Sequence, residues 1–354
     1  MSSVASAQSW PNDSPHPQTK AAGPSIEWET VECLMCGGGD SEPVVFAADP
    51  TTHLGGTFRV VRCCDCGLTF TNPRPTQASI GIFYPDDYKP HVGRAWDSGW
   101  QSRVRRQLER SVLRAQFGYP LQPVDRLTAM VSVVARIRIN RSRQRQWWIP
   151  FRQPGRLLDF GCGAGDFLRR MREFGWSVEG MDISADVAGD VKNRTGIPVH
   201  VGTLPHSDIQ PGAYDAVTMW NSLEHVHEPR HVVQAAQTAL RPGGILVIGV
   251  PNVASWSFEK FQQDWHGLEL PRHLTHFAPS TLRNLVEAEG FRFLSIQQIA
   301  RGGWFRKSVR NATASGLAPW WLRACRWKPI GQAVADWTER VGRADFIRLI
   351  AEKK

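Results

Sequence analysis

Between residues 156 and 351, apolar positions follow two alternating periods. Short runs suit buried parallel strands: Arg156–Phe160, Trp176–Asp182, Pro198–Gly202, Tyr214–Trp220, Ile245–Val250 and Phe291–Ile296. Stretches of helical spacing separate them. Asp166–Phe174 sets Phe167, Leu168, Met171 and Phe174 on one face and stops at Gly175. Glu228–Leu240 turns Val232, Val233, Ala236 and Leu240 inward and closes on Arg241-Pro242-Gly243-Gly244, and Ser280–Glu289 is a further helix. The terminal Asp345–Ala351 reads as a strand again. Strand and helix in alternation predict an α/β fold around a parallel sheet. Upstream, Arg94–Arg152 predicts two amphipathic helices with a break at Pro120–Pro123. Val104, Leu108, Val112 and Leu113 line the first, and Leu127, Val131, Val134 and Ile137 the second. Residues 1–27, rich in Ser, Pro, Gln and Ala without any period, predict disorder.

The first strand of the alternation ends in a glycine turn, Gly161, Gly163 and Gly165, and the next strand ends in Asp182. Glycines let the backbone turn sharply and approach a ligand. An acid at the tip of the second strand can accept hydrogens from both ribose hydroxyls. Dinucleotide sites use G-x-G-x-x-G with a pyrophosphate at the helix N-terminus. Here the spacing is G-x-G-x-G, with Asp159 just before the turn and Asp166 just after it. Those charges repel a phosphate and favour a cationic sulfonium, which points to S-adenosylmethionine (SAM) rather than NAD.

The cysteines change the picture of the N-terminal part. Cys33-x-x-Cys36 and Cys63-x-x-Cys66 are each followed by glycine and are joined by a β excursion at Phe58–Arg62, and Cys64 is a spare. Two such turns predict a closed tetrahedral thiolate zinc site with a structural task. After it come a rigid turn, Asn72-Pro73-Arg74-Pro75, and an aromatic stretch from Phe83 to Tyr88 that either caps a pocket or fills the core of the cysteine module. Cysteine pairs of this type belong to a reducing compartment, and the sequence shows neither a signal-type apolar segment nor a membrane-length run, so the cytoplasm is the expected location.

The formal charge of +9 is unevenly spread: Arg94–Arg152 holds 13 Arg, no Lys and 3 acids, while Arg301–Lys354 holds 12 basic residues and 4 acids. The rest of the chain is therefore net acidic. The arginines are either a solvated helix face or a surface for phosphate. Residues 302–344 also gather Trp304, Trp320, Trp321, Trp327 and Trp337 among Arg306, Lys307, Arg310, Arg323, Arg326 and Lys328. Tryptophan beside Arg and Lys suits a bilayer interface. A packed helical lid is the competing reading.

The stretches CLMC…CCDCGLTFTNPRP, LLDFGCGAGDFL, GMDIS, YDAVTMWNSLEHVHEP, LRPGGILVIGVPN and LPRHLTHFAPSTL together resemble the class I SAM-dependent methyltransferases, in particular bacterial ones with an N-terminal four-cysteine zinc module. That resemblance implies a Rossmann-like sheet whose last strand inserts antiparallel, with 302–344 as an insertion before it. It divides the chain into a tail (1–27), a zinc module (28–92), a basic helical connector (93–152) and the methyltransferase domain (153–354). Within the cofactor site it implies Asp159, Gly161 and Gly163 around the methionine portion and Asp182 and Ile183 at the ribose and adenine. It also implies Thr203 and Leu204 near the adenine edge, and Asn221 below the sulfonium.

Substrate class turns on the residues after Trp220. Enzymes that methylate base amines carry D/N-P-P-Y/F at this position, whereas this chain carries Asn221-Ser222-Leu223-Glu224-His225. The LEHV-x-x-P pattern is similar to ubiquinone-pathway O-methyltransferases and to zinc-containing sugar C-methyltransferases. The latter use a tyrosine base where this chain has Ser222, which disfavours carbon methylation. His225 can take a proton from an attacking hydroxyl, with Glu224 orienting it or binding a cation. Arg272, His273 and His276 sit on a loop expected over the strand ends, for substrate contact or loop anchoring. Many methyltransferases of the resembled zinc-module type act in polysaccharide or glycolipid modification, so the resemblance implies O-methylation of a saccharide or lipid-linked saccharide, and the basic flanks suggest work at an anionic membrane face. The rivals are a ubiquinone-type small-molecule O-methyltransferase, an RNA methyltransferase whose basic arms hold phosphates, and a SAM-sensing scaffold.

Overall fold

A computed structural model of the chain describes residues 25–85, 100–121, 147–153 and 155–354. The second connector helix predicted over residues 127–137, the tail through residue 24 and Tyr88 lie outside the described residues.

Thirteen strands are described: β1 (Trp28–Glu29), β2 (Ser41–Ala48), β3 (Thr57–Cys63), β4 (Thr69–Thr71), β5 (Arg74–Pro75), β6 (Arg156–Phe160), β7 (Ser177–Asp182), β8 (Val199–Val201), β9 (Tyr214–Trp220), β10 (Leu240–Pro251), β11 (Thr275–His276), β12 (Phe291–Ile299) and β13 (Phe346–Lys353). The α-helices are α1 (Trp100–Phe117), α2 (Asp166–Glu173), α3 (Ala185–Thr195), α4 (Pro229–Ala239), α5 (Trp256–Phe261), α6 (Pro279–Ala288), α7 (Gly302–Ala314), α8 (Trp320–Arg323) and α9 (Lys328–Arg340).

The central sheet has the order β12-β13-β10-β9-β6-β7-β8. β6 pairs in parallel with both β7 and β9, so the chain winds outward in two directions from β6. A crevice opens at the carboxyl ends of β6 and β9, where such a reversal leaves room for a ligand. β13 lies between β10 and β12 and is antiparallel to both, as the family resemblance implies. Strand alternation divides the apolar side chains between two faces. Leu158, Phe160, Met219, Leu246 and Ile248 pack with Val232, Val233, Leu282 and Leu285 on one face. Leu157, Ala216 and Val247 pack with Leu168, Met171, Val112 and Leu113 on the other.

Helix ends follow local chemistry. Ser184 caps α3 by accepting the Val187 N–H at 3.3 Å, and Pro229 and Pro279 occupy first-turn positions where a missing N–H costs nothing. The Arg241–Gly244 stretch, predicted as a loop, is absorbed into β10 as a register shift between Leu240 and Ile245.

The cysteine module is not a separate body. Its four-stranded sheet runs β11-β4-β3-β2, and β11 comes from the far side of the chain, pairing Thr275 with Phe70 and His276 with Thr69. A third apolar cluster joins Phe58, Val60 and Phe83 of the module to Phe258, Trp265, Phe305, Val309 and Leu322. The module and the 302–344 insertion thus share a core. No described helix is long and apolar enough to cross a membrane.

Candidate active site

A cavity of about 1990 Å³ lies over the carboxyl ends of β6, β7 and β9, walled by the module on one side and by α7 on the other. At its floor, Gly161 takes φ +70°, and a Cβ there would fall 2.5 Å from the Cβ of Ser222. Only glycine lets the turn after β6 pass so close to the turn after β9. The Gly163 N–H donates to Asp182 Oδ2 at 2.9 Å and the Ser184 N–H to Oδ1 at 3.0 Å. Both carboxylate oxygens are thereby oriented before any ligand arrives, with lone pairs left to accept from a diol.

Ile183, next in sequence, lines the cavity while 71% exposed. Such an apolar surface matches a flat heterocycle laid on it. Thr203 and Leu204 line the same end. Asn221 adopts φ +49°, and its Oδ1 is buried with no partner among the described residues, an acceptor suited to an ammonium group. Asp159 does not line the cavity. It lies behind the turn, accepts the Thr218 hydroxyl at 2.6 Å, and burial together with the Asp182 charge pushes its carboxyl up to about 7. The remaining residues fit SAM: an oriented diol acceptor, an apolar platform and an unpaired acceptor.

Asp182→Ala is expected to weaken SAM binding about tenfold or more, since hydrogen bonds to a charged group are worth about 1.5–3 kcal/mol. Calorimetry finding equal affinity in the variant would place the site elsewhere.

The chemical corner is the 3₁₀ turn Leu223–His225 that follows β9. His225 Nδ1 lies 3.0 Å from the Arg272 carbonyl and 3.0 Å from the Tyr84 hydroxyl. A carbonyl can only accept, so Nδ1 carries the hydrogen and Nε2 the lone pair. His273 Nδ1 likewise donates to the Gly267 carbonyl at 2.9 Å. The two imidazoles meet edge to face at 4.6 Å. Burial, then the neighbouring His225 and His276, hold His273 well below the usual histidine range. Glu224 is buried, neither of its oxygens has a hydrogen-bond partner among the described residues, His273 Nε2 lies 4.0 Å from its Oε1, and burial with Glu269 nearby pushes its carboxyl up to about 8. One ligand atom from each of Glu224, His225 and His273 lies within 4.8 Å of the others, a spacing that a cation could also bridge.

Of the three residues expected to contact substrate, only His273 lines the cavity. Arg272 is fully buried: it grips Asp49 through two hydrogen bonds of 3.0 and 3.1 Å and donates to the Phe83 carbonyl at 2.9 Å. Burial alone would raise Asp49, but the Arg272 guanidinium and the Thr52 hydroxyl hold its carboxylate below the usual range. His276 is buried, donates Nε2–H to Thr71 Oγ1 at 3.2 Å, and is pushed down to about 3 by burial. Both residues anchor the loop to the module. The aromatic stretch divides between its two readings, because Phe83 is core whereas the Tyr84 hydroxyl reaches His225.

Sequence reasoning passed over Trp220, Trp265 and Glu269, which also line the cavity. Trp265 and Glu269 sit just before the quoted PRH stretch, where a tryptophan and an acid near a histidine loop were the available signal. Trp304, grouped with interfacial tryptophans, lines the cavity instead.

The four cysteines stand apart from the cavity. Cys33 Sγ lies 3.4 Å from Cys66 Sγ, and Cys36 Sγ 3.6 Å from Cys63 Sγ, too far for disulfides. The two knuckles repeat one turn: the Gly37 N–H donates to the Cys33 carbonyl at 2.9 Å and the Gly67 N–H to the Cys63 carbonyl at 3.0 Å, with φ +76° and +74°. Burial pushes the Cys33 and Cys66 thiols up. A dication is what would let these two ionise together with their partners.

The methyltransferase-domain family profile matches residues 135–296. A ubiquinone biosynthesis O-methyltransferase of Burkholderia thailandensis is 30% identical over 186 residues, covering 49% of this chain and 79% of that protein. The protein of that name from Paraburkholderia xenovorans is 30% identical over 155 residues, covering 40% of this chain and 67% of the other. A solved SAM-dependent methyltransferase from Archaeoglobus fulgidus is 19% identical, covering 72% of this chain and 98% of the other, with a TM-score of 0.41.

Proposed function

We propose that this chain, which belongs to the class I SAM-dependent methyltransferases, methylates a hydroxyl of a saccharide or lipid-linked saccharide, with His225 as proton acceptor. When bound, SAM supplies an electrophilic methyl group on a sulfonium. Asp182 would accept from the ribose hydroxyls, Ile183 would carry the adenine, and Asn221 Oδ1 would accept from the ammonium. Against the acceptor, His225 Nε2 holds the lone pair that removes the hydroxyl proton, because Nδ1–H is committed to the Arg272 carbonyl. That tautomer carries the reading. Tyr84 steadies the same nitrogen at 3.0 Å.

The lining supports a sugar over a phosphate-rich acceptor. Among the described residues, Asp182, Asp186, Asp190, Glu228, Asp264 and Glu269 line the cavity beside one lysine, Lys307, and no arginine. Such a wall repels a nucleic-acid backbone. Trp304 stands at the cavity among Gln263, Asn311 and carboxylates, the mixture of apolar plane and hydrogen-bonding groups that a pyranose presents in return. The relatives named for ubiquinone biosynthesis support a small-molecule O-methyltransferase as the second reading. Methyl-labelled SAM incubated with neutral glycans, catechol-type quinone precursors and RNA distinguishes the readings. Label is expected in the glycan fraction, and label in the phenol or in RNA would overturn it.

We further infer that Cys33, Cys36, Cys63 and Cys66 hold a structural zinc ion. Four thiolates leave no open position for substrate, and the tetrad stands away from the cavity.

A further inference from the structure

Helical hairpins on a protein surface normally turn charged and polar side chains to water. The segment between α7 and α9 does not. Ala318, Leu322 and Cys325, spaced four and three apart, are its buried face and pack with Phe305, Val309 and Ala335. Its outward face carries Trp320 at 82% exposure, Trp327 at 66%, Leu317 at 59% and Trp321 at 52%. Most large apolar side chains exposed among the described residues fall between Leu317 and Val341, and all the exposed tryptophans do. Trp337, also there, lies edge-on to Trp256 at 5.8 Å and belongs partly to the core.

Along the sequence of this stretch the charges have one sign as far as Ala335, although Asp264 accepts the Ser315 hydroxyl at its start. No Asp or Glu occurs from Gly302 to Ala335. Arg310, Arg323, Arg326 and Lys328 are exposed there, and the first acids beyond, Asp336 and Glu339, lie on α9. We propose that this face docks on an anionic lipid bilayer, its tryptophans and Leu317 at the headgroup–acyl boundary and its basic residues on lipid phosphates. Two copies of the chain meeting through this face would oppose like charges. Exposed Leu317 and Ile330 have nothing to stack against in a nucleic acid, whereas acyl chains take them directly.

The stretch begins at Ser315, which also lines the cavity, as do Asn311 and Ala314 on the same helix. The docking face is therefore continuous with the cavity wall, and an acceptor anchored in the bilayer would enter along α7. Docking itself does not depend on the acceptor assigned above, since it is read without SAM or turnover.

The test is sedimentation of the full chain with vesicles of phosphatidylcholine alone or mixed with phosphatidylglycerol. Binding should require the anionic lipid and fall about tenfold or more as salt shortens the screening length from ~10 Å toward ~3 Å. Trp320→Ser with Trp321→Ser and Trp327→Ser should weaken it on the order of tenfold, and Arg323→Gln with Arg326→Gln by a similar factor, with a shallower salt dependence. These side chains are exposed, so the melting temperature should hold. Brominated acyl chains should quench part of the wild-type tryptophan fluorescence, a readout that needs no variant. Absence of binding at low salt, binding untouched by either variant, or unquenched fluorescence in bound protein would overturn the proposal. A dimer that the tryptophan substitutions dissociate would assign the face to a second copy, and tight RNA binding lost in them would assign it to nucleic acid.

Discussion

Cys36→Ser is expected to lose the metal and most of the soluble protein together. Structural zinc contributes about 10–16 kcal/mol in finger peptides, and a tetrad reduced to three thiolates forfeits much of that. The loss should spread, because Cys33 and Cys63 belong to the same apolar cluster as Leu158, Val217 and Leu285 of the central sheet. Cys64→Ser is the control: Cys64 is exposed and lies outside the tetrad, so metal content and yield should stay at wild-type levels. Elemental analysis is expected to give one zinc per chain. A wild-type protein that is folded and zinc-free would falsify this reading.

His225→Ala should keep SAM affinity and lose about two to four decades of turnover, the usual worth of a placed general base. A structural histidine could give part of the same result, since Nδ1–H ties the turn to the Arg272 carbonyl. His225→Asn separates the two roles. Its amide N–H can still donate to that carbonyl, but it offers no basic nitrogen. A base predicts that the asparagine variant is as slow as the alanine one, whereas an anchor predicts that asparagine restores turnover. If wild-type turnover instead collapses on chelation and returns with a divalent ion, the Glu224–His225–His273 cluster is a cation site.

The order of strands and the glycine turn were legible because both are local: a period of two or 3.6, then residues free to take positive φ. Asp182 could be read for the same reason, as an acid at a strand tip. The cysteine knuckles could be read because each is one repeated turn. What escaped was long-range. For Arg272 the sequence left substrate contact and loop anchoring both open, because the partner that makes it an anchor, Asp49, lies 223 residues away. β11 is two residues long, too short to show any period, and its partner strand is more than 200 residues upstream. The tryptophans of the insertion look alike in sequence. Trp304 separates from Trp320 only once Ala318, Leu322 and Cys325 are seen to fix which side of the hairpin faces inward.

The sharing of one sheet between β4 and β11 limits how this chain can be recombined. A crossover anywhere between residues 85 and 224 would part Asp49 from Arg272, Thr71 from His273 and His276, and Tyr84 from His225. Each half would then inherit a loop shaped for an absent partner. The cysteine module of this chain is therefore expected not to transfer alone as a cassette into a relative. The wall it provides and the histidine loop it braces must descend together, so acceptor preference should change only when both segments change in concert.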